Sequence, residues 1–509
     1  MSTFDRNIIA ILDPTIKVEP LMISDLGSKT AVDNTTPADA VGLLSDNSVI
    51  IGARYPYVVI NRTICYHDQI LYFDANFETN IPKLNITVKD HSNMFGLDFP
   101  SDGDVISLYL RPPDIDNLRP IRIDFDILQI SSHPKTSIYS FSGIMKVPGL
   151  FAEQSIAFKK DTTFNQLKEV CTSVGLGFAS NETMTDDIMT RICPFDTLET
   201  FISDTVKSSY KDDKSFFDWY IDPYYYLCLV NVNKQFTIED NLEIVNMSKD
   251  FPAGSIPDQT DNIDSRESAM LLTNSPDRLG YNMFINDYSL ESLVGNTWIN
   301  NGYKRYAQYY NILTDNSEYV SHYVDPLTTD DTKDIFVLSK GKAFDDFYKK
   351  QNKYKWLGKQ NMEIDSSNVH PNYMFAKILN FQNLQEIQKL SLNIQLSSMN
   401  LYITKYMNIP VAIYEHSRDS NNIRKLKNRD IQLGENDDNN KNTSLSRDGE
   451  TDTFDFGEDT RDYYLNSFLS GNYLVAGYKY TYSYPGPIQM SIRAIRRDWP
   501  IPTSNDHIL

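Results

Sequence analysis

The stretch Lys83-Leu84-Asn85-Ile86-Thr87-Val88 decides the fold class, because its apolar and polar residues alternate strictly. Successive side chains of a β-strand point to opposite faces, so this period of two predicts a half-buried strand. Ile121-Arg122-Ile123-Asp124-Phe125-Asp126-Ile127 repeats the pattern with charged residues on the second face. Strands are also predicted at Val105–Leu110 and Ile138–Val147, and Phe99–Asp104 predicts a turn. Short strands at this spacing predict a small β-barrel or sandwich.

The chain then changes to the period of a helix. Over Thr163–Gly175 the apolar residues recur at helical spacing, with a threonine to cap the start and a glycine to end it. Thr197–Tyr210 predicts a second helix, and Ser215–Tyr220 predicts a further helical turn that Pro223 stops. Tyr224–Val232 predicts a strand. These elements predict a compact α/β unit.

Strand patterns return towards the C-terminus. Leu390–Leu396 alternates with a period of two, and Leu401–Tyr414 is predicted to continue as strand. Tyr473–Tyr484 and Ile488–Arg496 predict two antiparallel strands joined at Pro485-Gly486. Lys377–Glu415 and Tyr464–Arg497 would then be two halves of one barrel. The polar stretch Ser417–Asp462 between them predicts a long, solvated surface insertion.

The fold class predicted from these patterns is α+β and β-rich, with two small β-barrels flanking an α/β block and a long acidic insertion in the second barrel. The stretch Met270–Tyr310 has no clean period, and Ala343–Lys355 predicts a short helix with a basic face. The predicted organisation is an N-terminal arm (1–53), a first barrel (54–155), an α/β domain (156–240), a connecting or peripheral domain (241–375), a second barrel (376–500) containing the mobile insertion 417–462, and a tail (501–509).

The amino-acid composition excludes some classes of protein. The 509 residues are too many for one core and include 41% hydrophobic residues, which excludes wholesale disorder. The 68 acidic and 48 basic residues give a net charge of −20, which argues against DNA binding by a basic face. The 32 tyrosines and 26 phenylalanines favour strands and wet protein interfaces.

No apolar run approaches the roughly 20 residues of a membrane-spanning helix, and the N-terminus does not have the pattern of a signal peptide. We therefore expect synthesis in the cytoplasm. The cysteines are far apart and form no CxxC pair, so they are interpreted as reduced core thiols. They are Cys65, Cys171, Cys193 and Cys228.

The sequence assigns no catalytic, cofactor-binding or metal-ligating residue. It contains no phosphate-binding loop, dinucleotide fingerprint, HExxH motif or nucleophile elbow. No two of its seven histidines lie within four residues of each other. Its densest acidic stretches, Glu435–Asn440 and Asp448–Asp459, fall in the predicted insertion, where a preorganised site is not expected. Asp102-Gly103-Asp104 is interpreted as a tight turn, and Tyr220–Tyr226 as a core strand or protein interface rather than a base-stacking platform.

The order of these motifs resembles the baseplate hub proteins of contractile-tailed bacteriophages, the spike-platform family. Pro82–Asp90 followed by Phe99–Tyr109 resembles the first hub barrel. Leu167–Phe178 leading to Ile202–Tyr210 and Ser215–Asp222 is similar to the α/β domain of the hub, and Gly471–Pro500 is similar to the closing strands of the second barrel.

The resemblance implies a non-enzymatic structural protein of the virion tail baseplate, assembled in the host cytoplasm. It implies a homotrimer whose two similar barrels per chain present a pseudo-sixfold face to the hexameric tail tube, with the spike protein docked on the other side. Baseplate wedge proteins would be neighbours. DNA would pass through the channel without specific binding, no membrane would be entered and no cofactor would be needed. We expect the channel-facing barrel surfaces to carry more Asp and Glu than Lys and Arg.

Two other functions stay open. A carbohydrate- or receptor-binding tail module would use exposed tryptophans to stack on sugars, and a sugar that quenches tryptophan fluorescence would favour it. A glycan-cleaving tail enzyme would need convergent carboxylates in a cleft, one of them with a raised pKa, and activity on bacterial wall or capsule would favour it. The candidate tryptophans are Trp219, Trp298, Trp356 and Trp499.

Overall fold

The structure is a computed structural model of the 509-residue chain. It describes residues 11–12, 56–60, 63–65, 68–91, 95, 99–110, 121–133, 135, 137–237, 272–273, 283–292, 304–311, 316–323, 335–336, 359–364, 368–388, 390–396, 399, 403–416, 463–466, 469–496 and 499–500. The expected helix Ala343–Lys355 and the insertion 417–462 lie outside the described residues, as does almost all of the arm.

The first β region consists of antiparallel strands and confirms the strands expected there. The elements up to residue 145 are, in chain order, β1 Ile11–Leu12, β2 Tyr57–Ile60, β3 Thr63–Cys65, β4 Ile70–Asn76, β5 Lys83–Lys89, β6 Val105–Leu110, β7 Ile121–His133 and β8 Ile138–Met145. Strands β2–β8 form this region, in the order β4-β5-β8-β7-β6-β2-β3. The apolar face of β5 is buried and its polar face points outward, as the alternation in its sequence predicts.

The α/β unit follows. Its elements are β9 Glu153–Asp161, α1 Thr163–Val174, β10 Gly177–Ser180, β11 Met189–Thr197, α2 Leu198–Lys207, β12 Phe217–Ile221, β13 Tyr226–Asn231 and α3 Val232–Thr237. Strands β1, β10, β13 and β12 form one sheet in that order, so Ile11–Leu12 of the N-terminal segment pairs with this unit. Strands β9 and β11 pair with each other as a separate two-stranded ribbon.

The two expected helices are confirmed, together with their caps. The Thr162 hydroxyl accepts a hydrogen bond from the backbone N–H of Asn165, and Gly175 ends α1 in the left-handed conformation. Thr197 caps α2 in the same way. The helical turn expected over Ser215–Tyr220 is wrong. Residues 217–221 are strand β12, because they pair with β13 and bury their aromatic side chains in the sheet.

The second β region contains the remaining long strands. Its elements are β14 Leu272–Thr273, β15 Met283–Ser292, β16 Lys304–Asn311, β17 Asn316–Tyr323, β18 Ile335–Phe336, β19 Lys359–Ile364, α4 Tyr373–Ile387, β20 Leu390–Leu396, β21 Asn408–Ala412, β22 Tyr414–His416, β23 Tyr463–Leu465, β24 Gly471–Ser483, β25 Gln489–Ile495 and β26 Trp499–Pro500. Strands β14, β15, β20, β21, β24 and β25 belong to the main sheet. The sequence pattern does not predict helix α4, most of which falls within the predicted second barrel.

The strand expected over Leu401–Tyr414 is only partly right. A turn occupies residues 405–406, and strand β21 begins at Asn408. Tyr406 has a φ of 62°, which a strand does not accommodate, so the chain bends there before pairing with β24.

Seven strands of the first β region and six of the second form one 13-stranded sheet, in which β4 pairs with β24. The register places Lys479 opposite Asn76 and Tyr482 opposite Phe73. In the second region β21 pairs with β14 on one side and with β24 on the other. The molecule is therefore β-rich, and its two β regions are neighbours in one sheet although about 390 residues separate β4 from β24.

Gly477 lies on β24 beside Glu78, which follows the end of β4. A Cβ atom added there would be 2.6 Å from the Cα atom of Glu78. We expect Gly477→Ala to lower the free energy of unfolding by about 1–3 kcal/mol, because overpacking forces the backbone apart. Chemical denaturation measures the change, with Ser483→Ala on the same strand as the exposed control. Equal stability of the two variants would contradict this close approach.

Candidate assembly surfaces and the contacts that position them

The aromatic residues considered for ligand binding are mostly in the core. Trp219 is 2% exposed, and Tyr220, Tyr224 and Tyr226 are buried as well. Trp499 lies in β26, opposite Phe336. Trp298 and Trp356 lie outside the described residues. Trp219 therefore does not present a stacking surface, and the run Tyr220–Tyr226 is confirmed as core.

Other sequence motifs have structural roles. Asp102-Gly103-Asp104 is a turn in which Gly103 has a φ of 88° and the Asp104 carboxylate accepts a hydrogen bond from the Ser101 N–H at 2.5 Å. All four cysteines are free and buried, and burial raises the pKa of the Cys65 thiol to about 12, which suppresses its reactivity. Within the described ranges, no group of three or more His, Cys, Asp or Glu residues could hold a metal ion. None of the described helices is long and apolar enough to cross a membrane.

The seam between the β regions is lined by stacked aromatic rings. The Phe77 ring stacks on Tyr478 with their centroids 4.9 Å apart, and Phe73 stacks on Tyr482 at 5.6 Å. The Phe77 N–H donates to the Tyr478 carbonyl, which extends the backbone pairing beyond β4. Tyr478, Tyr480 and Tyr482 are at most 2% exposed, because alternate residues of β24 face the core. The seam is thus a buried interface, and the two β regions hold a fixed mutual position.

Tyr225 connects the α/β unit to the first β region through a hydrogen bond. Its hydroxyl accepts a hydrogen bond from the backbone N–H of Asp124 at 2.9 Å, between residues 101 positions apart. The φ of Tyr225 is 64°, a conformation that non-glycine residues seldom adopt. Beside it the Arg122 guanidinium, 2% exposed, donates to the Asp124 carboxylate at 2.7 Å. A strained residue persists only where its surroundings determine its position, so this contact is specific.

Tyr406 connects the second β region to the α/β unit through a hydrogen bond to Asp218. Its hydroxyl donates to the Asp218 carboxylate at 2.5 Å, and its N–H donates to the Val475 carbonyl at 2.6 Å. The buried Lys405 ammonium lies 3.3 Å from the same carboxylate and 3.3 Å from the Asn80 amide oxygen. Burial, followed by the charge of Asp218, raises the pKa of Tyr406 well above its usual value, so the phenol stays protonated as a donor.

Helix α4 packs against the end of α2 through Asn380. The Asn380 amide nitrogen donates to the carbonyls of Val206, Lys207 and Ser209, at 3.3, 3.0 and 2.8 Å. Its amide oxygen accepts from the Phe217 N–H at 2.9 Å. These carbonyls belong to a helix C-terminus that has no further turn to bond them. One side chain therefore caps α2 and fixes the start of β12.

His370 precedes α4 and lies over a buried polar network. Its Nε2 atom donates to the Ser208 carbonyl at 3.0 Å. The neighbouring Asp187 carboxylate accepts from the N–H and the hydroxyl of Thr163, at 2.9 and 2.5 Å, and from the Tyr210 N–H at 3.2 Å. Arg191 is 3.7 Å from Asp187. Burial lowers the pKa of His370, and the Arg191 charge lowers it further against the opposing effect of Asp187.

The outward face of the main sheet is polar and continuous across both β regions. Its cross-strand pairs are hydrogen bonded, as in Thr87 with Ser140 at 3.1 Å and Gln395 with Gln489 at 2.7 Å. Charged side chains of both signs are present on this face. They include Asp74, Asp126, Asp287 and Glu291 together with Lys83, Lys89, Lys479 and Arg493. The acid excess expected on a channel-facing barrel surface stays a prediction.

The structure resembles phage tail proteins. It is similar to a tail protein from Neisseria meningitidis with a TM-score of 0.43 and 9% identity, over 87% of this chain and 96% of that one. It is similar to a prophage tail protein from Shewanella oneidensis with a TM-score of 0.42 and 10% identity, over 88% and 99% of the two chains. A complex of PdpA and VgrG from Francisella gives a TM-score of 0.40 and 9% identity, over 93% and 63%. No protein-family model and no curated protein matches the chain.

Removing the Asn380 side chain tests how α4 is held. We expect Asn380→Ala to lower the free energy of unfolding by at least about 2 kcal/mol, because each buried polar group left unpaired costs roughly 1–3 kcal/mol. Hydrogen exchange should accelerate at the Phe217 amide, which loses its acceptor. Asn85→Ala, at an exposed position of β5, is the matched control. Unchanged exchange at Phe217 would contradict the assigned contact.

His370 gives stability a specific pH dependence. Because its pKa is lowered in the folded protein, the unfolded chain binds the proton first as the pH falls. The contribution of neutral His370 to the free energy of unfolding is therefore present in full well above about pH 6.5, the ordinary pKa of histidine. This contribution is lost progressively as the pH falls below that value. His370→Gln should remove this component, whereas His133→Gln at an exposed position should retain it. The measurement is the free energy of unfolding of both variants from pH 8 to pH 5. The same pH dependence in both variants would contradict the role assigned to His370.

Proposed function

We propose that this chain is a structural tail protein that acts as the trimeric hub of a contractile-tail baseplate, surrounding the DNA channel between a three-fold spike and a six-fold tail tube. The observation that carries the proposal is the pairing of β4 with β24. It places two β regions side by side in one sheet within a single chain. Three such chains in a ring would present six β regions, which is how a trimer can match a hexameric partner.

We infer that the two β regions are the two barrels of the hub. In the second region, each of six strands pairs with two others of the same six, so following the pairings leads back to the first strand. In the order of pairing, these strands are β14, β15, β20, β25, β24 and β21. In the first region seven strands follow one another from β4 to β3. The α/β unit is fastened to both regions, by Tyr225 and by Tyr406, which suits a part that must keep two barrels in register.

The polar face of the sheet is the surface that we assign to the channel. Charged side chains of both signs are interspersed there with uncharged polar ones, so the face offers neither a basic patch that would retain phosphate nor an apolar patch that would bind protein. The net charge of −20 adds a general repulsion of DNA. Spike, tube and wedge proteins would bind elsewhere, and the virion baseplate is the location that follows from this role.

The alternative functions have weaker support. A carbohydrate-binding module needs aromatic platforms at the surface, whereas Trp219 and the tyrosines of β12 and β13 are in the core. A glycan-cleaving enzyme needs two carboxyls held about 5–10 Å apart in a cleft. Asp74 and Asp126, whose pKa values are raised by burial, lie on an open sheet face instead.

Solution mass tests the proposal. The full chain should give a particle of three times 58.5 kDa by light scattering over a concentration series, and electron microscopy should show a ring with a central channel. A dimer or tetramer, or a compact particle without a channel, would overturn the hub. Sugar-dependent quenching of tryptophan fluorescence in the same preparation would favour the binding module instead.

A further inference from the structure

Helix α2 ends against the segment 370–380, which contains the start of helix α4. The Asn380 amide nitrogen and the His370 Nε2 atom together bond four consecutive carbonyls at this end, those of Val206, Lys207, Ser208 and Ser209. The rings of His370 and Phe375 also pack on Tyr210, with centroids 6.3 and 6.4 Å apart. We call this contact the α2–α4 joint. Two side chains thus satisfy carbonyls that a helix C-terminus leaves without an intrahelical partner.

His370 is the titratable member of the joint. It is 3% exposed, and its Nε2 atom carries the proton that the Ser208 carbonyl accepts. In this neutral tautomer the Nδ1 atom is an acceptor, and it makes no hydrogen bond to any residue that the structure describes. A second proton would turn Nδ1 into a charged, buried donor. Such a group is costly unless an acceptor pairs with it.

The nearby Asp187 carboxylate has no acceptor site to spare for that donor. It already accepts four hydrogen bonds, from the N–H and the hydroxyl of Thr163, the hydroxyl of Thr185 and the N–H of Tyr210. A carboxylate has about four lone-pair sites, so these bonds occupy them. A protonated His370 ring would have to displace one of these buried bonds or remain unpaired.

The charged and titratable groups that face His370 come from several parts of the chain. Arg191 of β11 is cationic and has only N–H donors, so it repels a protonated ring and cannot accept from it. The carboxylates favour the charge, but burial has the larger effect and lowers the pKa of His370. The other facing groups are Asp186 and Asp187 before β11, Tyr210 after α2 with Asp213 bonded to its hydroxyl, and Tyr373 in α4.

We propose that the α2–α4 joint is a proton-operated latch, closed while His370 is neutral and opened when a proton from solvent adds to Nδ1. In the open state the side chains of His370 and Asn380 leave the end of α2, and the charged ring is hydrated. The β4–β24 seam and the contact of Tyr406 with Asp218 are formed by other residues and keep the second β region in place. The opening is therefore local to α4 and the end of α2.

Hydrogen exchange of the full chain at about pH 7.5 and about pH 5.5 tests the latch. The Phe217 N–H reports opening, because its acceptor is the Asn380 amide oxygen. After correction for the intrinsic pH dependence of exchange, its protection should fall severalfold, and by at most about tenfold. One proton taken up in the open state, with a pKa near 6.5, gives that limit over this range. Amides of β5, which is paired on both edges, are the reference for opening of the whole fold.

Two variants and a matched control isolate the role of His370. His370→Gln can still donate to the Ser208 carbonyl but does not titrate, so protection at Phe217 should no longer depend on pH. His370→Arg carries a permanent charge and should leave Phe217 weakly protected at both pH values. His133→Gln, at an exposed position of β7, should behave as the wild type. Circular dichroism verifies that each variant is folded, and the glutamine variant alone decides if the arginine variant is not.

The outcomes decide the latch independently of the oligomeric state, because the joint lies within one chain. A fall in Phe217 protection that occurs in the wild type and in His133→Gln but is absent in His370→Gln supports the latch. The same fall in all three proteins would overturn it. Protection at Phe217 equal to that of the β5 amides at both pH values would also overturn it, since the joint would then open only with the whole fold.

Discussion

The pairing of β4 with β24 is the contact on which the rest of the molecule depends. It joins chain segments about 390 residues apart, so the entropy of closing a very long loop opposes it. The backbone hydrogen bonds alone add little net stability, because both strands could bond water when unfolded. The buried aromatic side chains of β24 and β4 supply the apolar contact area that offsets this cost. Tyrosines thus act here as core residues of a sheet.

Once the seam is formed, the α/β unit has a defined place beside it. Tyr225 reaches the first β region and Tyr406 reaches back from the second, and both tyrosines have positive φ. Lys405 is buried beside Asp218, where an unpaired ammonium would be costly, so its pairing restricts how the parts can fit. The polar contacts between the parts therefore specify geometry more than they add stability.

Local elements could be predicted from the sequence where one physical signal dominated. The strand at Lys83–Val88 and the capped helix after Thr162 are confirmed. Both could be predicted because the alternation of apolar residues and the capping hydrogen bonds involve residues only a few positions apart. Strand β12 was mistaken for a helical turn, since tertiary pairing with β13 outweighs a weak local preference. Helix α4 was missed because apolar residues surround it on most sides and give no clear stripe.

The contacts that position the surfaces could not be predicted, because their partners are remote in sequence. Asn380 caps a helix that lies about 173 positions earlier, and Tyr406 reaches a carboxylate 188 positions away. An asparagine within a helix carries no local sign that its amide bonds another helix. The ribbon is different, because its exposed Ile192 and Phe195 break the polar pattern expected of a solvated strand. The contacts of Phe158 with Phe201 and of Gln166 with both strands hold the ribbon in place, so these two apolar side chains stay at the surface although the rest of the unit packs inward.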